Sequence, residues 1–565
     1  MAVKRRKKHG RVYLEEHRTI RVNGKVKSLY VRSLGPEDPV TKKPRPRANV
    51  FDRLDHGPSH RAGDVALLWE LAKEIEMPET IDGICCGQRN VDGPSPGKLL
   101  TAWAINRAID PQSCTKLESW LPTTDLPRLM GLDPGDFTKE AFLTALDFVC
   151  TDDRDAGRLH DPTARIDDAL YRRWRTLHPL PAGEKETLAY DLTSVLFFGV
   201  SCPLAELGYN PEKILRRQAN LALVVSRRDR FPLAHFVYGG SRNAPSTIKN
   251  LILALQESSV EPGTLIWDRG NVSGEHVESA TAAGWHLICG VPMSVNEAHD
   301  ILERTQLEYS HETLARGSKG GHVYAVKLEA PLYGKERNLV ICDNRERGVR
   351  NADARNEALA AIDEDLQELV ARIGNWGERR IHEEAGKAVG EFGALVIPKV
   401  NRKGDGTRLS WGFKKQDIHR MERLDGKWLL LCTDPVLSAK QATNLYLEKD
   451  FIEKVFRTLK TSEEIVPVRH RLEWRVRAYL SVCVLAYRLL AMLQDRLRKL
   501  SDKDDTWERA DTLLQELGRV ERVRVRLGRQ VKSWYLNLSG KNREALDKMG
   551  YKKLLKEEVE VDLRV

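Results

Sequence analysis

The chain has 565 residues, 41% of them apolar, a length that predicts about three or four domains at roughly 150 residues each. Lys and Arg number 91 against 81 Asp and Glu, and the net charge of +10 with a pI near 9.0 favours a polyanionic partner. Nine scattered cysteines without a CxxC pair argue against a zinc ribbon and for a reducing cytoplasm, and the charged start lacks the apolar stretch of a secretory signal.

From the N-terminus, "TIRVNGKVKSLYV" sets Asn23-Gly24 between β-prone runs and predicts a hairpin across residues 11–35. Basic clusters occur at Lys4–Arg11, Lys42–Arg47 and Arg469–Arg477; each alone reads as a solvated face, and the three together point to nucleic acid rather than membrane. From about 63 to 180 the apolar spacing is helical, as in "PGKLLTAWAINRAI" and "KEAFLTALDFVC". At Thr187 the pattern turns to strands: "TLAYDLTSVLFFG", then "ANLALVVSRRDRFPLAHFVYGG", then a helix "TIKNLILALQESS" and a strand "GTLIWDRG". Between about 285 and 435, strands are expected at "WHLICGV", "GHVYAVKLEA", "RNLVICD", "FGALVIP" and "GKWLLLCTD", with one long helix over 351–374. A helix is expected at 438–460 and a longer one at 471–500. The run "AYLSVCVLAYRLLAML" within the latter is too short to span a bilayer and is interrupted by Arg488, so no membrane segment is expected. "RVRVRLGRQVKSWYLNL" predicts a terminal hairpin.

The helix at 438–460 carries the sharpest signal. Tyr446, Lys449, Glu453 and Lys460 stand at offsets 0, 3, 7 and 14, an arc of about 60° at roughly 100° per residue. Leu445, Ile452, Val455, Phe456 and Leu459 form the adjoining apolar face. Two aspartates stand in or at the end of apolar strands: Asp191 in "LAYDLTS" and Asp268 in "LIWDRG". A charge there is costly unless it is paired, hydrogen-bonded or metal-bound. Taken singly, Asp191 also reads as a hydrogen-bonded strand residue, Asp268 as the start of a turn, and Glu453 as a helix glutamate paired to Arg457. Jointly, the three acids offer hard oxygen ligands suited to magnesium or manganese, whose paired ions about 3.5–4 Å apart serve phosphodiester chemistry. There is no HExxH, GxSxG or P-loop, and "GDGTR" near Gly404 reads as a loop.

The spacing Tyr446-x2-Lys449-x3-Glu453-x6-Lys460 resembles the YREK signature of DDE transposases of bacterial insertion sequences, with Lys449 where the signature has Arg. "YDLTS", "DRGN", "IEKVFRTLKTSEEIVPVRHR", "GYNPEKILRRQANLALVV" and "INRAIDPQSCTKLESWL" are similar to the same group. The resemblance implies an α/β multi-domain chain whose RNase H-like catalytic core is interrupted by a β-rich insertion in the 184 residues between Asp268 and Glu453. The expected divisions are a basic β-hairpin arm and linker (1–62), a helical DNA-binding domain (63–182), the first part of the core (183–284), the insertion (285–436), the second part with the catalytic glutamate (437–500), and a C-terminal region for dimerisation or DNA contact (501–565).

The same resemblance implies Asp191, Asp268 and Glu453 as catalytic residues and ligands of two Mg2+ or Mn2+ ions. Tyr446, Lys449, Lys460, Arg457 and Arg269 are then expected at DNA phosphates, and Trp285 and Trp411 are candidates to receive a flipped base, each also reading as a core tryptophan. The implied activity is cut-and-paste transposition of double-stranded DNA, with hydrolysis at terminal inverted repeats and strand transfer into target DNA, a hairpin being one excision route. The implied assembly is a homodimer on synapsed ends with the helix at 471–500 near its interface, in a bacterial, nucleoid-associated cytoplasmic setting. Two other functions stay open: a catalytically silent DNA-binding protein derived from a transposase, and an RNase H-like nuclease without strand transfer.

Overall fold

The computed structural model describes residues 2–8, 11–22, 25–39, 41–44, 55–86, 93–153, 158–197, 199, 201–208, 210, 214–242, 244–317, 321–374, 376–403, 406–466, 468–500, 509–527 and 530–561. The expected turn residues Asn23 and Gly24, Gly404 of the "GDGTR" loop, and parts of the two N-terminal basic clusters lie outside them. The chain divides into two compact units.

One unit gathers 1–63, 123–125 and 516–565. It holds a three-stranded antiparallel sheet of Ala2–Lys8, Arg11–Val22 and Lys25–Pro36. It also holds a second sheet in which the expected C-terminal hairpin, Glu521–Leu527 with Gln530–Leu536, pairs with Asp55–His56, His60–Arg61 and Glu558–Val561. Arg522 Nε donates to Asp125 Oδ1 at 2.6 Å there.

The other unit, 64–122 and 126–515, is built on a ten-stranded mixed sheet. Its strands run, edge to edge, Pro232–Gly239, Arg217–Ser226, Thr187–Leu196, Thr264–Trp267, His286–Gly290, Lys427–Cys432, Lys335–Asn344, Val323–Leu332 and Leu314–Arg316, with Glu206–Leu207 pairing onto Arg217–Ser226. Thr187–Leu196, Thr264–Trp267 and His286–Gly290 are mutually parallel, and the remaining pairings are antiparallel. Burial on both faces explains the near-continuous apolar runs of the central strands: Leu265, Ile266, Trp267, Leu287, Ile288 and Cys289 are each at most 1% exposed.

The segment 285–436, expected as an insertion, continues this sheet with five strands. Only its hairpin Val396–Lys403 with Gly406–Phe413 stands off the sheet, packing a small core of Ile362, Leu366, Ile381, Ala385 and Val396 with the helices Arg345–Arg372 and Glu378–Val389. The segment is therefore richer in helix than its strand-like runs suggested.

The helix Glu473–Leu500 is long and apolar enough to cross a membrane, yet 89% of its apolar window is buried inside the chain. It packs on the helices Pro96–Ile109 and Lys139–Val149 and on the edge strand Pro232–Gly239. Its apolar faces are covered by this chain. Arg488, fully buried within it, donates to Asp167 Oδ1 at 2.8 Å, while His235 Nδ1 meets Asp167 Oδ2 at 2.6 Å. That buried network joins the helix Thr163–Leu177, the sheet edge and the long helix. All nine cysteines are free thiols.

Candidate functional site

Asp191 lies within the strand Thr187–Leu196, opposite Leu223 on one side. On the other side, the parallel register pairs Tyr190 with Trp267. Asp268 is the next residue after that pair, so chain order along two parallel strands brings the two aspartates side by side. The strand stops at Trp267 because Asp268 caps the short helical turn Arg269–Asn271, its Oδ1 accepting from the Arg269 amide at 2.8 Å.

The single helix expected over 438–460 is two. Ala439–Glu448 starts on a capping box, with Ser438 and Gln441 satisfying each other's amides. Asp450–Thr461 follows after a break at Lys449, where the Lys449 amide donates to Tyr446 O and the Ile452 amide to Lys449 O, both three residues back. One continuous face therefore does not carry the four signature residues. Tyr446 lies in the last turn of one helix, Lys449 sits at the joint, and Glu453 lies in the first turn of the next, where the helix dipole favours a carboxylate. Ile452, Val455, Phe456 and Leu459 are buried as the apolar spacing predicts.

The turn after Arg217–Ser226 holds this joint from both sides. Arg227 Nε donates to Glu448 Oε2 at 2.6 Å, and the Arg230 guanidinium stands 3.8 Å from the centroid of the Phe451 ring. Burial lowers the Arg230 pKa to about 10, with Arg498 adding to the effect.

Lys449 Nζ lies 3.3 Å from Asp268 Oδ1, and Tyr446 Oη donates to the same oxygen at 3.1 Å. Burial works to raise the Asp268 carboxyl, but Lys449, the Arg269 amide and Tyr446 outweigh it and hold the group below the ordinary carboxylate value. Asp191 goes the other way. Burial pushes its carboxyl up to about 6, against the Leu192 amide and Lys449, and with the added repulsion of Asp268 and Glu453. Glu453, exposed on the helix that packs against the Asp191 strand, is thus near enough to act on it electrostatically. Among the described contacts Glu453 makes no ion pair with Arg457.

All three acids present oxygen donors, and the contacts on Asp191 and Asp268 fall on one oxygen of each, Oδ1. That donor set suits a hard divalent cation in chemistry. Among the described residues no group of three or more acidic, histidine or cysteine side chains is disposed to hold a metal ion as the side chains stand. Lys449 supplies the positive charge beside Asp268.

A cavity of about 600 Å³ opens at Asp268, Tyr446 and Lys449 and runs over the strands His286–Gly290 and Lys427–Cys432. Its wall includes Arg269, Arg316, Arg347 and Lys427, none of which pairs with a carboxylate among the described contacts. Trp428 lines it too, its buried indole N–H without an acceptor among the described residues. Sequence reasoning missed Arg316, Arg347, Lys427 and Trp428. "GKW" before an apolar strand was a faint signal for two of them, and nothing marked the arginines.

The other expected DNA contacts are dispersed. Arg457 is exposed and Lys460 half-buried farther along the helix of Glu453. Trp285 is 1% exposed in the core and offers no ring face to a base, the outcome its core reading anticipated. Trp411 is half-buried on the separate hairpin, its Nε1 donating to Asp363 Oδ1 at 2.7 Å.

No protein-family model and no curated protein matches this sequence. Among solved structures, a piggyBac transposase synaptic complex with hairpin DNA aligns with a TM-score of 0.36 and 10% identity, over 82% of this chain and 82% of that one. A superposition of that quality establishes neither a shared fold nor a shared activity.

Proposed function

We propose that this chain is a DNA transposase of the DDE, YREK-signature kind found in bacterial insertion sequences, with Asp191, Asp268 and Glu453 as its acids. The observation that carries the reading is the convergence of three residues far apart in sequence. Two aspartates meet on adjacent parallel strands, and the glutamate arrives on a helix packed against the first of them. The lysine and tyrosine of the signature spacing bond to the second acid.

In this reading the acids would hold two Mg2+ or Mn2+ ions, which when bound neutralise phosphodiester charge and activate the attacking oxygen. The chain's own residues bind and position the strand. Arg269, Arg316, Arg347 and Lys427 attract its phosphates, and Trp428 offers an aromatic wall beside them. Lys449, now on Asp268, is free to turn to a phosphate once that acid's charge is met otherwise. The substrate is double-stranded DNA at terminal inverted repeats, followed by target DNA, handled by a homodimer on synapsed ends in a bacterial cytoplasm.

One observation favours the silent DNA-binding alternative. Lys449 Nζ, 3.3 Å from Asp268 Oδ1, already neutralises that carboxylate. The experiment is cleavage and joining of a duplex carrying the inverted repeats that flank the gene, with Mg2+ or Mn2+. Wild-type chain is expected to nick and to join a pre-cut 3′-hydroxyl end. Asp191→Asn and Asp268→Asn are expected to lose about a hundredfold or more in rate while still binding the duplex. Binding without cleavage by the wild type would establish the silent protein, and hydrolysis without joining the nuclease.

A further inference from the structure

A second cavity, about 340 Å³, has no part in the site above. It lies among the helix Pro96–Ile109, the loop leading to Cys114, the helix Lys139–Val149, and Glu464, Val466, Arg469 and His470, which follow the helix of Glu453. Its chemistry is one-sided. Trp103 and Tyr479, both buried, and His470 form a cluster of rings, with centroids 6.3 Å apart for Trp103 and His470 and 5.3 Å for His470 and Tyr479. Burial, with Arg475 adding to it, lowers the His470 pKa to about 4, so the imidazole is a neutral ring at physiological pH.

One buried donor on its wall, Trp103 Nε1, has no acceptor among the described residues, whereas Arg107 is already engaged by Cys483 and by the buried Glu463 carboxylate. Lys139 and Arg469 also line it, and neither pairs with a carboxylate among the described contacts. The carboxylate on the wall is that of Glu464, which is exposed. An unsatisfied donor and two cations beside the His470 ring call for a ligand with oxyanion acceptors and a flat apolar part. The volume suits one nucleotide and excludes a base pair.

We propose that this cavity is a second nucleic-acid site that takes one nucleotide, its phosphate on Lys139 and Arg469 and its base against the half-buried His470 ring, which the buried Trp103 and Tyr479 back from behind. Arg107 ties the site to the catalytic helix: its Nη2 donates to Glu464 O at 2.6 Å and also to Glu463 O, in the turn that follows that helix. The ligand is either a unit of a bound strand or a free nucleotide. The strand source rests on the transposase reading; the phosphate-and-ring chemistry does not.

The test uses the full chain and the alkylation rate of Cys114, which lines the cavity, with Cys85 as internal reference. The probes are thymidine monophosphate and a single-stranded oligonucleotide. Either is expected to slow Cys114 labelling and leave Cys85 unchanged. The double variant Lys139→Ala/Arg469→Ala, its fold checked by circular dichroism, is expected to need about tenfold more probe for the same protection. Protection by the mononucleotide supports the proposal with the free source, and protection by the oligonucleotide alone supports it with the strand source. No protection by either, or equal protection in the double variant, overturns it. Asp191→Asn separates the two readings. Protection kept in that chain leaves the pocket standing even if the wild type proves unable to cleave DNA, and protection absent from a wild type that cleaves removes the pocket alone.

Discussion

A Cβ on Gly290 would stand 2.6 Å from Tyr446 Oη and 3.2 Å from Arg269 Cβ. Glycine at the end of that strand is thus what lets the tyrosine hydroxyl reach Asp268. Gly290→Ala is expected to displace the hydroxyl, the movable end of a side chain, rather than to unfold the sheet. Gly290→Ala and Tyr446→Phe should each lower DNA cleavage by about tenfold, the scale of one hydrogen bond to a charged group. Combined, they should lower it little further, because both remove the same contact. Additive losses in rate assays of the two single variants and the double variant would show that Gly290 acts elsewhere. At this scale Asp191 and Asp268 also part company: Lys449 holds one carboxyl down, and burial pushes the other up to about 6.

At the scale of elements, the joint at Lys449 and the long helix Glu473–Leu500 set the position of Glu453, the proposed catalytic glutamate. The joint depends on Arg230 over Phe451, so Arg230→Ala is expected to cost about 0.5–2 kcal/mol in urea unfolding and to lower cleavage while leaving DNA affinity intact. Unchanged cleavage would mean that the joint holds without this clamp. The long helix depends on Arg488 with Asp167, both fully buried. Arg488→Met removes the guanidinium from the buried Asp167 carboxylate, leaving it to His235 alone, and is expected to cost about 3–5 kcal/mol.

The pH dependence of that pair follows from the direction of the Asp167 shift. Burial opposes ionisation, but Arg488 and His235 hold the carboxyl below its ordinary value of 3.8. Its stabilisation is therefore complete above that value and is lost as pH falls through the lower, folded one. Urea midpoints from pH 7 down to 2 should drop more steeply at the acid end in wild type than in Asp167→Asn. Parallel curves would show that this carboxyl does not titrate differently on unfolding.

Across the whole molecule, one sheet carries Asp191, Asp268 and the cation-lined groove, so in the proposed reading a strand drawn along the groove would reach Asp268 without a change of surface. If Arg316, Arg347 and Lys427 contact phosphates, each change to Ala should weaken DNA binding across all sequences and reduce the slope of log affinity against log salt by about 1. Fluorescence anisotropy over a salt series reads both quantities. An unchanged slope in the triple variant would take the DNA out of this groove.

The acids, the apolar face beside Glu453 and most strands of the large sheet were legible along the chain, because alternation, apolar runs and signature spacing are local properties. Asp191 in an apolar strand and Asp268 before a glycine could be marked as unusual without any coordinates. Their adjacency could not, since it follows from the parallel register of Tyr190 with Trp267, a pairing of residues 77 apart. The break at Lys449 escaped because both halves obey the same helical spacing and the joint is held by Arg227 and Arg230 from a distant turn. The strands of 285–436 were visible, but that they extend the sheet depends on Lys427–Cys432 inserting beside His286–Gly290. Trp285 and Trp428 look alike in sequence; burial against neighbours far along the chain puts one in the core and the other on the groove. Local chemistry is written residue by residue, whereas proximity, burial and the charge each group feels arise only when distant segments pack together.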